Sequence, residues 1–480
     1  MVFTSIEFFV FFLAVYLPIL LFNLKPLRNK LSEKTQLSCK HFILLVSSYI
    51  FYGWWDYRFC LLMLLLTFVS WLSAKNISQN KHRRLFTVTG IVFPLVILGF
   101  FKYFNFFVDG FTSLFGIESA GALNIILPVG ISFYTFQSMS YTIDVLKGTI
   151  ASHSFSDVAL YISFFPQLVA GPIVKAADFM PQLKKNEPLN LCDLSVGLQI
   201  FMFGLFKKIV IADNLSVFVD DVFAKPLAFS SLSVILAVIS YSVQIYCDFS
   251  GYSDMAIGVA RCFGYNFRPN FNIPYISKNV SEFWKRWHIS LSGWLQEYLY
   301  IPLGGNRKGT ARKYINLLLT MVLGGLWHGA NYTFVFWGLL HGAALCVHKL
   351  WLTLKKGKKS SGVITSAASV LFTYAFVCVC WVFFRAENFK TAIDVLSKMF
   401  IWSGGINQIF FWSVFSIVLL VAATAAAALK AKKEGKKSVN GYYPVFDLNK
   451  ISGLIIFFSE IMLIIMFAYT GSNPFIYFQF

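Results

Sequence analysis

The sequence predicts an all-α protein that crosses a membrane many times, and three observations carry that prediction. Hydrophobic residues make up 57% of the 480-residue chain, which holds 54 phenylalanines. Charged residues reach only 13%, about half the share in an ordinary globular domain. Apolar runs of membrane-spanning length recur from end to end. A water-soluble fold of this length could not cover so much apolar surface.

The candidate spans follow in order. The run near 5–24 has no basic segment before it and no small-residue cleavage site after it, so it reads as a span and not a removed leader. Further runs lie near 41–55, 58–74, 85–108, 123–146, 156–172, 195–213, 231–248 and 249–263. The last five lie near 314–330, 332–352, 363–384, 405–429 and 452–470. Several are short or interrupted by Gly and Pro, the pattern of re-entrant or broken helices sheltered by their neighbours. No internal repeat and no long low-complexity linker is visible, so residues 1–480 are expected to form one integral membrane domain.

Lys and Arg crowd the short connections between apolar runs, as positive-inside loops require. Lys25, Arg28, Lys30, Lys34 and Lys40 fill the first connection, and Lys75, Lys81, Arg83 and Arg84 the third. Two more basic runs span Lys349–Lys359 and Lys430–Lys437, whereas the fourth connection carries Asp109 and Glu118. Placing the basic loops in the cytoplasm puts both termini outside. The region from about 150 to 265 does not fix its own topology. The net charge of +19 is thus topogenic, and no nucleic-acid partner is implied. The cysteines are scattered without a CxxC pair, so neither disulfides nor a metal site is expected.

Three stretches place polar chemistry among apolar residues. In "NVSEFWKRWHISLSGWLQEYLYIPLGGNRKG", Trp284, Trp287, Leu291, Trp294 and Tyr298 recur at three- and four-residue steps. That periodicity predicts one amphipathic helix, with Ser281 as its N-cap and Glu282 in its first turn, suited to the headgroup interface. His288 borders its apolar face. Lys285, Arg286, Arg307 and Lys308, with Arg312 and Lys313 after them, either anchor that interface or hold the phosphates of a donor. The second stretch, "QIYCDFSGYSDMAIG", buries Gln244, Asp248, Ser250, Ser253 and Asp254, and a helix-joining polar network is the favoured reading. The third, "LGGLWHGANYTFVFWGLLHGAAL", holds His328 and His341. Gly324, Gly325 and Gly329 leave room beside His328 for another chain or a substrate. An imidazole is able to act as general base toward a hydroxyl, whereas His341 reads as a packing residue.

Together with "FFPQLVAGPIVK", "FRPNFNIPYISK" and the terminal "NPFIYFQF", these stretches resemble the membrane-bound O-acyltransferase (MBOAT) family, in its bacterial alginate O-acetylation branch. The resemblance implies a ring of transmembrane and re-entrant helices around a central acyl-transfer tunnel. It places the catalytic histidine of the "WHG" motif at His328 and a second polar site position at His288. Acetyl-CoA, or another acetyl thioester, would be the donor substrate, with no bound cofactor. Lys285, Arg286, Arg307 and Lys308, with Trp284 and Trp287 nearby, would hold it. His328 would act as base or acyl carrier, and His288 would position or polarise the thioester carbonyl. The resemblance further implies the bacterial inner membrane, an extracytoplasmic acetyltransferase partner for which "NPFIYFQF" offers a docking surface, and an exopolysaccharide or cell-wall glycan as final acceptor. The rival reading is a transporter or flippase moving an acyl carrier or glycan precursor without making a bond. No pair of halves with similar hydropathy supports it.

Overall fold

The computed structural model describes all residues except 25–27, 117–122, 170, 355–361, 420–445, 472, 474 and 476–480. The expected span at 405–429 is therefore described only to residue 419. The basic run Lys430–Lys437, residues 355–359 of the run before it and most of "NPFIYFQF" lie outside the described residues.

Among the described residues every regular element is helical, and one isolated parallel bridge joins Phe229 to Ile406. Among the described residues seven helices are long and apolar enough to cross a membrane: Ile6–Asn23, Arg58–Ser78, Arg83–Phe115, Leu191–Ala224, Ser231–Cys262, Tyr332–Leu354 and Val363–Arg385. Glu33–Asp56, Thr310–His328 and the shorter apolar helix Ile451–Phe467 fall on further expected spans.

Two expectations are corrected. The runs at 231–248 and 249–263 form one unbroken helix, Ser231–Cys262, of 32 residues, about 48 Å long. Its polar centre imitates a break in a hydropathy profile, but the helical backbone runs through it without interruption. The run at 123–146 is helical only from Ile131, after Gly130 takes a φ of 73°. The run at 156–172 is not one continuous helix: Phe155–Ser163 stops at Phe164, and a single turn, Phe165–Leu168, follows.

The residues pack as two compact units, one of 1–201 with 254–268 and the other of 202–253 with 269–480. In the first, Ile131–Leu146 is buried at every position from Ile131 to Thr142, so no face of it meets lipid. Ser70 and Ser138 share a hydrogen bond there. Phe164, Phe179 and Tyr265 form an aromatic triangle with ring centres 5.2–5.3 Å apart.

In the second unit the Leu191–Ala224 helix loosens into a π segment at Phe206–Ala212. The carbonyl of Ile209, within that segment, accepts the amide of Tyr469, and Asn214 donates to the carbonyl of Phe467. Residues 467 and 469 are thereby tied to that helix. Asn473 donates to Ser216, and Phe475 is fully buried with its ring 4.2 Å from that of Tyr252. These two residues of the expected docking segment are thus engaged within the chain. Thr310–His328 and Tyr332–Leu354 make a close helical hairpin: a Cβ on Gly325 would lie 2.2 Å from the carbonyl of Phe334, and one on Gly338 2.3 Å from that of Met321.

Candidate active site

The expected amphipathic helix does not run through residues 281–300. It breaks into Val280–Arg286 and Ile289–Leu295, with Trp287 extended and His288 left-handed at φ 42°. The first piece is capped by Asn279, not Ser281: the Asn279 side chain accepts from the amide of Glu282 at 2.9 Å. Ser281 instead bonds Nδ1 of His348. The helix ends because residues 270–272 compete for its backbone. The amide of Asn272 donates to the carbonyl of Arg286 at 2.8 Å, and that of Ile289 to the carbonyl of Asn270 at 2.9 Å. A left-handed residue other than glycine costs about 1–3 kcal/mol and persists only where its surroundings hold it.

The break also turns the tryptophan stripe inward. Trp287, Leu291, Trp294 and Tyr298 are all buried, which rules out a headgroup position for that face. Trp287 is a core side chain, 4.9 Å from the ring of Trp381 and 5.0 Å from that of Phe271. Trp284 packs on His341 at 5.2 Å.

His288 is 1% exposed. Its ring meets Phe249 edge-on at 4.6 Å, and its Nδ1 lies 3.2 Å from the side-chain oxygen of Asn270. His328 is the last residue of the Thr310–His328 helix and is 3% exposed. Its ring stands among Trp327, Trp337 and Phe384, at 5.1–5.3 Å from each. The rings of His288 and His328, 40 residues apart in sequence, have centres 6.5 Å apart. The two site histidines are therefore neighbours, walled by aromatic rings and withdrawn from water. A base in such an enclosure exchanges its proton with a bound substrate and not with solvent.

The glycines beside His328 serve the fold. Gly325 and Gly329 make room for Phe334 of the next helix, and Gly324 for Leu295, so that space is filled by this chain. His341 is fully buried between Phe283, Trp284, Trp337 and Phe376, and among the described residues neither ring nitrogen has a hydrogen-bond partner.

The basic candidates divide. Arg286 is occupied: it pairs with Glu282 at 2.9 Å and donates to the carbonyl of Asn272. Lys285, Arg307, Lys308 and Arg312 are exposed, and Lys313 is half-buried. Of the residues expected to form a polar network, Asp248 has an ion pair, with a lysine not singled out in the sequence. Lys208 lies 2.7 Å from both Asp213 and Asp248, and Lys207 donates to Ser250 at 2.9 Å. The signal was "LFKKIVIA", two lysines within an apolar run. Ser253 accepts from Asn270. Gln244 is buried in the same unit, whereas Asp254 is buried in the first unit. Among the described residues no three His, Cys, Asp or Glu side chains gather as a metal site would need.

Comparison with known proteins identifies the family of the chain. The model of the MBOAT, membrane-bound O-acyltransferase family matches residues 131–379. The chain is 41% identical over 412 residues to a probable alginate O-acetylase of Pseudomonas aeruginosa, covering 83% of this chain and 75% of that protein. It is 40% identical over 386 residues to a peptidoglycan O-acetyltransferase of Helicobacter pylori, covering 74% and 73%. A teichoic acid D-alanyltransferase of Streptococcus thermophilus is 26% identical over 292 residues, or 55% of this chain and 69% of that one. With its all-helical, multi-pass fold, the chain belongs to the membrane-bound O-acyltransferase family.

Proposed function

We propose that the chain takes an acetyl group from a cytoplasmic thioester, acetyl-CoA or an acetylated carrier protein, and passes it across the bacterial inner membrane. An extracytoplasmic partner would then place it on a hydroxyl of an alginate-like exopolysaccharide or cell-wall glycan. The observation that carries this reading is the adjacent pair His288 and His328, screened from water in a chain whose relatives are named as O-acetyltransferases of such polymers. In the transfer the thioester C–S bond breaks and a C–O bond forms. His328 takes the hydroxyl proton and returns it to the departing thiolate, or carries the acetyl group briefly itself. Lys285, Arg307 and Lys308, exposed and cationic, hold the phosphates of the donor. Arg286 is left out of that set because Glu282 already engages it.

The test is transfer of label from radiolabelled acetyl-CoA in purified membranes, with wild type and His328→Ala at matched levels. Label reaching a partner protein or polymer in wild type, and falling at least about a hundredfold in the variant, is the expected result. Equal labelling in both would remove His328 from the chemistry.

A further inference from the structure

We propose that Asn270 is a positioning residue of this site, fixing which nitrogen of His288 carries the proton and so making Nε2 a hydrogen-bond acceptor. Asn270 is 1% exposed and lies in the segment that breaks the helix before His288. Its side-chain oxygen receives the backbone amide of Ser290 at 3.1 Å and the Ser290 hydroxyl at 2.9 Å. Its side-chain nitrogen donates to the fully buried Ser253 hydroxyl at 3.1 Å.

A backbone N–H only donates, so the Asn270 atom facing Ser290 is the oxygen, and the amide is not free to flip. That same oxygen lies 3.2 Å from Nδ1 of His288. The Ser290 hydroxyl also lies 3.4 Å from Nδ1, but its proton is engaged by the nearer Asn270 oxygen at 2.9 Å. An amide oxygen cannot donate, so Nδ1 holds the proton of the neutral ring. Nε2 is then a bare acceptor, buried and, among the described residues, without a hydrogen-bond partner. A second proton would leave an imidazolium among Phe249, Phe271 and Trp327, a cation in an apolar aromatic enclosure.

The consequence is a role for His288. Polarising the thioester carbonyl would need a proton on Nε2, which this tautomer does not supply. In the route where His328 carries the acetyl group, Nε2 of His288 accepts the one hydrogen bond of the acceptor hydroxyl and turns the lone pairs of that oxygen toward the acyl carbon, the proton ending on the His328 nitrogen as its bond to the acetyl group breaks. Naming the hydroxyl as that donor rests on the acyl-transfer reading; the tautomer does not.

The experiment is magic-angle-spinning NMR of the full chain in bilayers with 13C,15N-histidine, the His288 signals being assigned by their loss in His288→Gln. In wild type the protonated nitrogen should correlate with Cγ, which marks Nδ1. A protonated nitrogen correlating with Cδ2 would overturn the proposal, whatever the variants do. Asn270→Leu removes the acceptor and should move the proton to Nε2, whereas Asn270→Asp should keep it on Nδ1. In acetyl transfer, Asn270→Leu should lower kcat about a hundredfold at unchanged KM for the thioester, and Asn270→Asp should recover most of it. Equal loss in both variants, with the tautomer unchanged, would reduce Asn270 to a structural role. Absence of transfer in wild type would count against the proposed reaction alone, because the spectrum decides the tautomer.

Discussion

Lys208 holds its ammonium group 2.7 Å from Asp213 and 2.7 Å from Asp248, with 3% of its side chain exposed. Removing one partner of such a set leaves charge buried without compensation, which costs about 3–5 kcal/mol. Lys208→Met should therefore lower the melting temperature of the detergent-solubilised protein sharply. Adding Asp213→Asn and Asp248→Asn should restore most of the loss; if it does not, the cluster is held by something other than charge pairing. The sequence exposed Asp248 as an expensive residue without naming its partner, since Lys208 lies 40 positions earlier and no periodicity links the two. Arg286 shows the reverse failure. It looked available because its partner Glu282, one turn before it, counts as helix-surface charge in any pattern.

The break between Arg286 and Ile289 marks the limit of pattern reading for an element. The tryptophan stripe keeps helical spacing through residues where the backbone is not helical, because periodicity records side-chain identity and not the competition of Asn270 and Asn272 for backbone partners. The hairpin of Thr310–His328 and Tyr332–Leu354 was more legible, and both members lie close to their expected bounds. What spacing could not say is that the glycines flanking His328 are consumed by the neighbouring helix. Gly338→Ala would drive a methyl group to within 2.3 Å of the Met321 carbonyl. The overpacking should cost about 1–3 kcal/mol and displace the helix that ends in His328. Expected outcomes are a reduced yield of folded protein in fluorescence-detected size exclusion and lower transfer per folded molecule; a variant matching wild type in both would mean the helices part freely.

Across the whole molecule, the exposed cations Arg307 and Lys308 and the topogenic loops make separate predictions. If they hold the donor phosphates as proposed, the double variant Arg307→Gln/Lys308→Gln should raise KM for acetyl-CoA several-fold and leave kcat nearly unchanged, since such contacts contribute uniform binding. A fall in kcat at constant KM would assign them elsewhere. With Cys192, the exposed native thiol, replaced, Lys81→Cys should react with a membrane-impermeant maleimide only after permeabilisation. Labelling from intact cells would invert the orientation.

Composition and hydropathy by themselves determined that this chain is all-helical and lives in a membrane, because apolar length is a property of consecutive residues. The motif stretches determined its family, and within it the candidate histidines. Only the tertiary structure decided that His288 and His328 are neighbours and that the Asn270 side chain lies 3.2 Å from the ring of one of them. It alone decided that Lys208 answers Asp248 and that the tryptophan face is core. Each of these is a contact between residues well separated in the chain, which hydropathy and spacing along consecutive residues do not record.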